Sequence, residues 1–224
     1  MLNCLGQRFV DEGQDFRNYT YAAFGKAVLA QPDGIAFQIF DSAVTNILRE
    51  EEYADNVVRK IVSDSLEGLA QKLVEEGLRD PDNFVKTIDE YNLAAKAGRA
   101  QNPGITWNPT VKDGLSTKSG SSNDIFPPKS NWALPISKPP YLAVKISCGI
   151  TFTFGGLAID PLTSGVISNR TGGPIPGLFC CGELVGGLFY GNYPGGSGLT
   201  AGAVFGRKAG KSASALLTNL QSDC

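Results

Sequence analysis

Over residues 21–97, apolar residues recur mostly at helical spacing. This pattern predicts mostly helices, with short strands between them. The apolar run at residues 35–40 predicts a buried strand. Three helix starts follow, at Asp41 as an N-cap, at Ser65 as an N-cap, and at Pro81 in a first helical turn. The apolar faces of these helices comprise Ala43, Val44, Ile47 and Leu48, then Leu66, Leu69, Ala70 and Leu73, then Phe84, Val85, Ile88 and Tyr91.

The second part of the chain has a different pattern. Residues 98–140 are rich in Pro, Gly, Ser, Asn and Lys and have no sustained periodicity, which predicts a long irregular connection. After it, short β-type runs occur at residues 141–147 and 157–159, and a turn is expected at residues 171–174. The chain as a whole is therefore predicted to be α+β.

The segment at residues 177–210, GLFCCGELVGGLFYGNYPGGSGLTAGAVFGRKAG, passes from a strand through a glycine-rich loop into a small-residue helix. We expect that helix to begin at about Ser197. Glycine lets the backbone approach a ligand closely, and the first turn of a helix offers free N–H groups at the positive end of its dipole. The pattern predicts a helix start that faces an electron-rich ligand.

Composition and charge exclude several classes of partner. The 224 residues carry a net charge of −2 without basic or acidic tracts, so neither nucleic acid nor an anionic surface is an expected partner. No apolar run approaches the roughly 18 residues that a membrane span needs, and the first residues lack a secretory pattern. We expect no membrane partner and a cytoplasmic location.

The reactive side chains narrow the chemistry further. The chain contains no histidine, which excludes Ser-His-Asp and Cys-His catalysis and histidine-based metal sites. Proton transfer must then use Arg, Lys, Tyr or a carboxylate. The five cysteines show no metal-binding spacing, so we expect reduced thiols and no metal site. The adjacent Cys180 and Cys181 are predicted to be small packing residues of a strand.

Four ordered segments carry a family resemblance: residues 6–25, residues 148–160, residues 174–187 and residues 189–210. Together they resemble the fumarate reductase/succinate dehydrogenase flavoprotein superfamily, most nearly its tricarballylate dehydrogenase-like proteins and more distantly its 3-ketosteroid dehydrogenases. The resemblance implies FAD as cofactor. Members of this superfamily begin with a dinucleotide-binding βαβ unit that carries a GxGxxG turn, and no such unit occurs here.

By this resemblance the chain is the C-terminal half of a flavoenzyme. Residues 1–20 are expected to join the FAD domain to a capping domain, residues 21–145 to form that substrate-capping domain, and residues 146–224 to form the C-terminal strand and helix of the FAD-binding domain. A separate N-terminal FAD-binding half, or self-association, would then cover the apolar edge that is left exposed.

The resemblance also assigns residues to the cofactor. Glu183 matches the family's glutamate that contacts the sugar-alcohol part of FAD, although a solvated or helix-capping glutamate would look the same. The family places the N–H groups of the following helix start at the flavin N1/O2 edge. The matching residues are Ser197, Gly198, Leu199 and Thr200. The competing interpretation is that the glycines before them only permit close packing of helix on strand.

Arg17 is the nearest match to the family's proton-donating arginine, offset by one position. Glu12 and Asp15 are expected to orient its guanidinium. The alternative is a surface ion pair between Arg17 and Asp15.

Two departures from the family pattern bear on the substrate. Phe152, followed by Thr153, stands where fumarate reductases carry a substrate-binding histidine, and Tyr193 stands where they carry a carboxylate-binding arginine. Fumarate and succinate are therefore poor candidates. In the ketosteroid dehydrogenases a tyrosine at the second place polarises a substrate carbonyl, which implies the same role for Tyr193 together with the N–H of Ser197. Further substrate-binding candidates are Tyr190, Asn192 and Lys129. About half of the aromatic residues near these positions are expected to be core residues instead. If Lys129 does not bind substrate, we expect it to be solvent-exposed.

The expected activity is that of a portion of an FAD-dependent oxidoreductase. It would transfer hydride between flavin and a carbon next to a carbonyl or carboxyl group of a small organic acid or enone. The alternative is a stand-alone, non-redox protein derived from the cap, either a small-molecule binding protein or an isomerase or cyclase.

Overall fold

A computed structural model describes residues 1–151 and 153–222, with side chains described through residue 218. The chain divides into two compact units, Met1–Gly149 and the unit that begins at Ile150. Among the described residues the first unit contains β1 (Leu2–Asn3), α1 (Arg17–Leu29), β2 (Ile35–Asp41), α2 (Glu50–Tyr53), β3 (Lys60–Ser63), α3 (Leu66–Val74), α4 (Pro81–Gln101) and β4 (Tyr141–Ser147). The second contains β5 (Gly165–Ile167), β6 (Pro174–Phe179) and α5 (Ser197–Ser222). The prediction of an α+β chain is confirmed.

The first unit is built on a four-stranded antiparallel sheet of order β1-β2-β4-β3. In its register Leu2 lies opposite Phe37, and Phe37 lies opposite Lys145. Helices α3 and α4 pack against each other, and α3 also packs on the sheet. The core between these elements is apolar and consists of Leu2, Phe37, Ile61, Leu66, Leu69, Ala70, Leu73, Leu78, Phe84, Ile88, Tyr141 and Ala143.

Helices α3 and α4 begin where the sequence predicts them. The Ser65 side chain accepts a hydrogen bond from the N–H of Gly68, and the Asp80 side chain accepts one from the N–H of Asn83. Such N-caps satisfy N–H groups that have no partner inside the helix. The predicted apolar faces are buried at Leu66, Leu69, Ala70 and Leu73 and at Phe84, Ile88 and Tyr91.

The helix predicted to follow Asp41 is wrong. The Asp41 carboxylate accepts hydrogen bonds from the N–H of Ala43 at 3.0 Å, from that of Ser137 at 2.9 Å and from that of Lys138 at 3.0 Å. It therefore holds a turn against a distant segment instead of capping a helix, and only a short 3-10 turn forms at Thr45–Ile47.

The irregular connection is confirmed from residue 102 onward, since α4 ends at Gln101 and no strand or helix intervenes before β4 among these described residues. Buried side chains hold it on α4. The Asn92 side chain donates to the carbonyl of Ile136 at 2.8 Å and accepts from the N–H of the same residue at 2.7 Å. The Tyr91 hydroxyl donates to the carbonyl of Leu134 at 2.9 Å.

The second unit pairs β5 with β6 antiparallel and places α5 next to β6. The predicted strand at residues 157–159 is not formed, because Leu157 and Ile159 make only isolated bridges, to Val185 and Val166. Cys180 is buried, as its predicted packing role requires, and burial raises the pKa of its thiol, but Cys181 is exposed. The assignment of the two units to a cap and to part of an FAD domain stays a prediction.

Candidate functional site

The glycine-rich loop of the second unit is anchored by close backbone contacts. The N–H of Leu157 donates to the carbonyl of Leu184 at 2.7 Å, and the N–H of Gly186 donates to the carbonyl of Leu157 at 3.1 Å. A Cβ atom at Gly156 would lie 2.5 Å from the Leu184 carbonyl oxygen, so only glycine permits this approach. The contacts fix the chain on either side of the 3-10 turn Gly182–Leu184.

Glu183 lies in that turn and is exposed. One of its carboxylate oxygens, Oε1, accepts a hydrogen bond from the N–H of Thr153 at 3.0 Å. The structure thus brings together two residues that the sequence assigns separately, one to the cofactor and one to the substrate. Glu183 and Thr153 border a small cleft with Tyr193 and Gly198.

Tyr193 is only 3% exposed, and its ring centroid lies 5.4 Å from that of Phe189 and 6.4 Å from that of Phe154. Its hydroxyl lies against the backbone of Gly198, where a Cβ atom would be 2.4 Å from the hydroxyl oxygen. The N–H of Ser197 donates to the carbonyl of Pro194 at 3.1 Å. The expected joint action of Tyr193 and this N–H is therefore not seen in this arrangement, because the N–H already has an acceptor.

Helix α5 begins at Ser197, as predicted. The N–H groups of Gly198 and Leu199 have no acceptor among the residues that the structure describes. The N–H of Thr200 makes a long bond of 3.4 Å to the carbonyl of Gly196. No acidic side chain occupies the first turn. This helix start can therefore accept an electron-rich group from outside the described part of the chain.

Ser197 Oγ in this turn and Asn192 Oδ1, five residues earlier in the chain, are buried and also lack a hydrogen-bond partner within the described residues. Buried polar atoms are nearly always hydrogen-bonded in native proteins. A hydroxyl that can donate and an amide oxygen that can accept are left for a polar ligand.

Two other predicted residues of this unit have exposed side chains, and a third cannot be described. Tyr190 is 81% exposed and Leu199 is 85% exposed. Phe152 lies outside the described residues. The roles assigned to all of these side chains stay predictions.

Arg17 lies in the first unit as the first residue of α1, with 63% of its side chain exposed. Its guanidinium pairs with Glu52. The expectation that Asp15 and Glu12 orient it is wrong, because Asp15 lies 3.3 Å from the ammonium of Lys112 and Glu12 faces Arg8.

The Arg8–Glu12 pair was not predicted, because Glu12 was assigned to Arg17 instead. Arg8 donates from Nη1 to Glu12 Oε1 at 3.1 Å and from Nη2 to Oε2 at 2.7 Å, and their side chains are 7% and 16% exposed. Burial raises the pKa of Glu12, but the Met1 amino group, Arg8 and Lys129 outweigh it and lower the pKa to about 2. The four-residue spacing of Arg8 and Glu12 in RFVDE was the sequence signal from which this ion pair could have been predicted.

Lys129 is half-buried and lines a cavity of about 410 Å³ in the first unit, together with Arg8, Glu12 and Tyr91. Trp107 and Trp132 line the same cavity. Trp132 is part of the irregular connection, and its indole N–H lies 2.9 Å from the carbonyl oxygens of Asn108 and Val111 in the same connection. Its ring centroid lies 5.4 Å from that of Phe16.

No helix within the described part of the chain is long and apolar enough to cross a membrane.

Comparison with protein families matches residues 2–199 to the family described as FAD binding domain. A probable fumarate reductase of Shewanella frigidimarina is 29% identical over 213 residues, which cover 95% of this chain and 30% of that protein. The 4-oxocyclohex-2-ene-1-carboxylate 5-dehydrogenase of Sinomonas cyclohexanicum is 33% identical over 153 residues, which cover 67% of this chain and 23% of that protein. The chain thus spans less than a third of the length of either relative.

Among solved structures, 3-ketosteroid delta1-dehydrogenase from Sterolibacterium denitrificans in complex with 1,4-androstadiene-3,17-dione is similar in fold. The TM-score is 0.64 at 26% identity, and the match covers 96% of this chain and 38% of that one. The relatives do not favour the alternative of a non-redox protein.

Proposed function

Because this chain belongs to the FAD binding domain family, we propose that it is part of an FAD-dependent oxidoreductase that transfers hydride between the flavin and a carbon next to a carbonyl or carboxyl group. The observation that carries the proposal is the start of α5. Within the described residues, neither the N–H groups of Gly198 and Leu199 nor the buried Ser197 Oγ and Asn192 Oδ1 have a hydrogen-bond partner.

The residues present fit an FAD molecule. Reduction places negative charge on the flavin, and a helix start without acidic side chains stabilises such charge. Glu183 has one oxygen fixed by Thr153, and its exposed carboxylate can accept hydrogen bonds from the hydroxyls of the sugar-alcohol chain. Gly198 lets the helix backbone lie close to Tyr193 without a clash.

Each residue group has a defined task in this proposal. The bound FAD would supply the hydride chemistry. Gly198, Leu199 and Glu183 would hold and orient it. Arg17 is proposed to transfer the second proton. Because free arginine is a poor acid, this transfer requires either a site that lowers the pKa of the guanidinium or a proton relay. Tyr193 is proposed to act on the substrate carbonyl, which requires its buried side chain to move away from Gly198.

The relatives suggest the substrate class. One is named for a cyclic oxo-carboxylate and another was crystallised with a steroid enone. We propose a small organic acid or enone for this chain. The absence of histidine argues against a fumarate-type carboxylate clamp. A closer kinship with tricarballylate dehydrogenase-like proteins is likewise a proposal.

We further propose that a dinucleotide-binding half complements this chain, with residues 1–20 as the junction, 21–145 as the cap and 146–224 as the closing part of the FAD domain. The greater length of the relatives motivates this proposal, since the chain covers 30% and 23% of them. A cytoplasmic location stays a prediction.

The test is a flavin reoxidation assay. The chain is loaded with FAD, alone and with a separately produced dinucleotide-binding half, and reduced anaerobically. Enoates and cyclic enones are then added while the flavin absorbance is followed. We expect reoxidation faster than that of free FAD. Equal rates for free and protein-bound flavin under both conditions would contradict the proposal.

A matched pair of variants tests Arg17 separately. Arg17 and Arg49 are both exposed and both pair with Glu52. Arg17→Met is expected to slow reoxidation about 100-fold or more, as loss of a positioned proton donor does, whereas Arg49→Met should leave it unchanged. Equal rates in the two variants would remove Arg17 from the chemistry.

A further inference from the structure

The cavity of about 410 Å³ lies wholly within the first unit and has the size of a small-molecule site. Its wall is mostly apolar. The apolar side chains that line it include Phe24, Phe40, Val44, Trp107, Trp132 and Leu134. Such a wall favours a ligand with a compact hydrocarbon body.

Most charged side chains of the cavity wall already have hydrogen-bond or ion-pair partners within the protein. Arg8 is engaged by both oxygens of Glu12 and by the carbonyls of Val10, Pro127 and Pro128. The Glu12 carboxylate also contacts the Met1 amino group. Asp41 accepts three backbone N–H groups. These groups have little capacity left for a ligand.

Lys129 is different. Its ammonium lies beside the Tyr91 hydroxyl, and no ion pair joins it to a carboxylate among the residues that the structure describes. Its charge helps to lower the pKa of Glu12, but within the described residues it forms no ion pair of its own and so can pair with an anionic ligand. Lysine attracts a carboxylate by a charge-assisted hydrogen bond, which is stronger in a partly dry cavity than in water.

The wall also contains a strained residue. Trp132 has φ of 55°, a left-handed backbone conformation that bulky side chains rarely adopt. Its backbone N–H is held by Asp113 at 2.9 Å, and its indole N–H by the connection. Strain that surrounding contacts maintain is concentrated at ligand sites, and here it keeps the indole in the cavity wall.

From these features we propose that the cavity binds a monocarboxylate with an apolar ring, with its carboxylate on Lys129 and its ring against Trp107 and Trp132. The inference deepens the proposed function and rests on it for the substrate class, since Lys129 is one of the substrate-binding candidates and small organic acids are among the proposed substrates.

The two tryptophans of the chain both line the cavity, so indole fluorescence reports its occupancy directly. The full chain, without FAD, is titrated with cyclohexanecarboxylate. We expect a saturable change in fluorescence. The uncharged cyclohexanecarboxamide, which has the same ring, should bind roughly tenfold more weakly or worse, since it forms no ion pair. Acetate, which has no ring, should also bind more weakly.

Variants locate the carboxylate. Lys129→Met should weaken cyclohexanecarboxylate binding roughly tenfold or more, and Lys129→Arg should retain most of it. Lys118→Met is the control, since Lys118 is an exposed lysine of the same connection outside the cavity wall. Far-ultraviolet circular dichroism verifies that each variant is folded.

Three results would overturn the inference: no saturable change with the wild-type chain, equal affinity for the carboxylate and its amide, or equal weakening by Lys129→Met and Lys118→Met. The ligand comparison uses only the wild-type chain, so it decides the matter even if a variant fails to fold. Failure of flavin reoxidation would leave this result untouched, because the titration contains no FAD.

Discussion

At the scale of single residues, the Arg8–Glu12 pair should be a main electrostatic contribution to the stability of the first unit. Glu12→Gln leaves the buried Arg8 without its countercharge and should lower the free energy of unfolding by about 3 kcal/mol at neutral pH. Urea unfolding measures this. Glu90→Gln is the matched control, since Glu90 makes an exposed pair with Lys86 at 3.8 Å that is worth less than about 0.5 kcal/mol.

The same pair determines how the free energy of unfolding changes as the pH falls. Glu12 has its pKa lowered from 4.5 to about 2 in the folded chain, so its stabilisation is complete above pH 4.5. It is lost as the pH falls from about 4.5 toward 2, because the unfolded chain then binds the proton first. The difference in unfolding free energy between wild type and Glu12→Gln should shrink over this range. A difference that stays constant down to pH 2 would show that the charge of Glu12 is not involved.

Gly198 is the second residue-scale prediction. An alanine there would place its Cβ 2.4 Å from the Tyr193 hydroxyl, and the ring of Tyr193 is held between Phe154 and Phe189. Gly198→Ala should destabilise the second unit by about 1–3 kcal/mol. Gly202→Ala, in the same helix and with nothing within 4 Å of its Cβ position, should be neutral or stabilising by up to about 1 kcal/mol. Thermal unfolding of both variants checks the difference, and a common effect would reject the packing argument.

At the scale of elements, the irregular connection is predicted to depend on α4. Asn92→Ala removes both hydrogen bonds to Ile136 and leaves that residue's N–H without its acceptor, at a cost of about 1–3 kcal/mol. The connection should then be cleaved faster in limited proteolysis. Asn123→Ala changes an exposed residue of the same connection and should not alter the rate. Equal cleavage rates would mean that the clamp does not hold the connection.

The elements also show how far sequence alone reaches. The starts of α3, α4 and α5 were predictable because their signals are local: Ser65 caps N–H groups of its own helix, Pro81 stands in the first turn of α4, and a glycine-rich loop leads into Ser197. Asp41 carried the same kind of local signal. That signal did not lead to a helix, because the Asp41 carboxylate accepts hydrogen bonds from the N–H groups of Ser137 and Lys138. These residues lie about a hundred positions away, so a local sequence pattern does not reveal them.

In the candidate site, too, local motifs were predictable from the sequence and long-range contacts were not. The resemblance identified Glu183 and the turn at Gly198, and the structure places both at one cleft. The burial of Tyr193 and the salt bridge from Arg17 to Glu52 depend on packing and on long-range contacts, so the sequence could not supply them.

At the scale of the whole molecule, strand β6 predicts association. Every residue of β6 except the last is exposed, and its exposed side chains include Ile175 and Leu178. An exposed apolar strand favours pairing with another chain. We expect the isolated chain to self-associate in sedimentation velocity experiments, and Leu178→Lys to reduce association. Leu29→Lys, at an exposed leucine of α1, should not. A wild-type chain that sediments as a monomer at all concentrations would contradict this.

We propose that the start of α5 holds the flavin, and hydrogen–deuterium exchange measures this at the backbone amides concerned. The chain is measured with and without saturating FAD, following the peptide that contains Gly198 and Leu199, whose N–H groups have no acceptor among the described residues. We expect FAD to slow exchange at these two amides and to leave helix α3 of the first unit unchanged. Flavin retained by the chain with no protection at Gly198 and Leu199 would contradict the proposal.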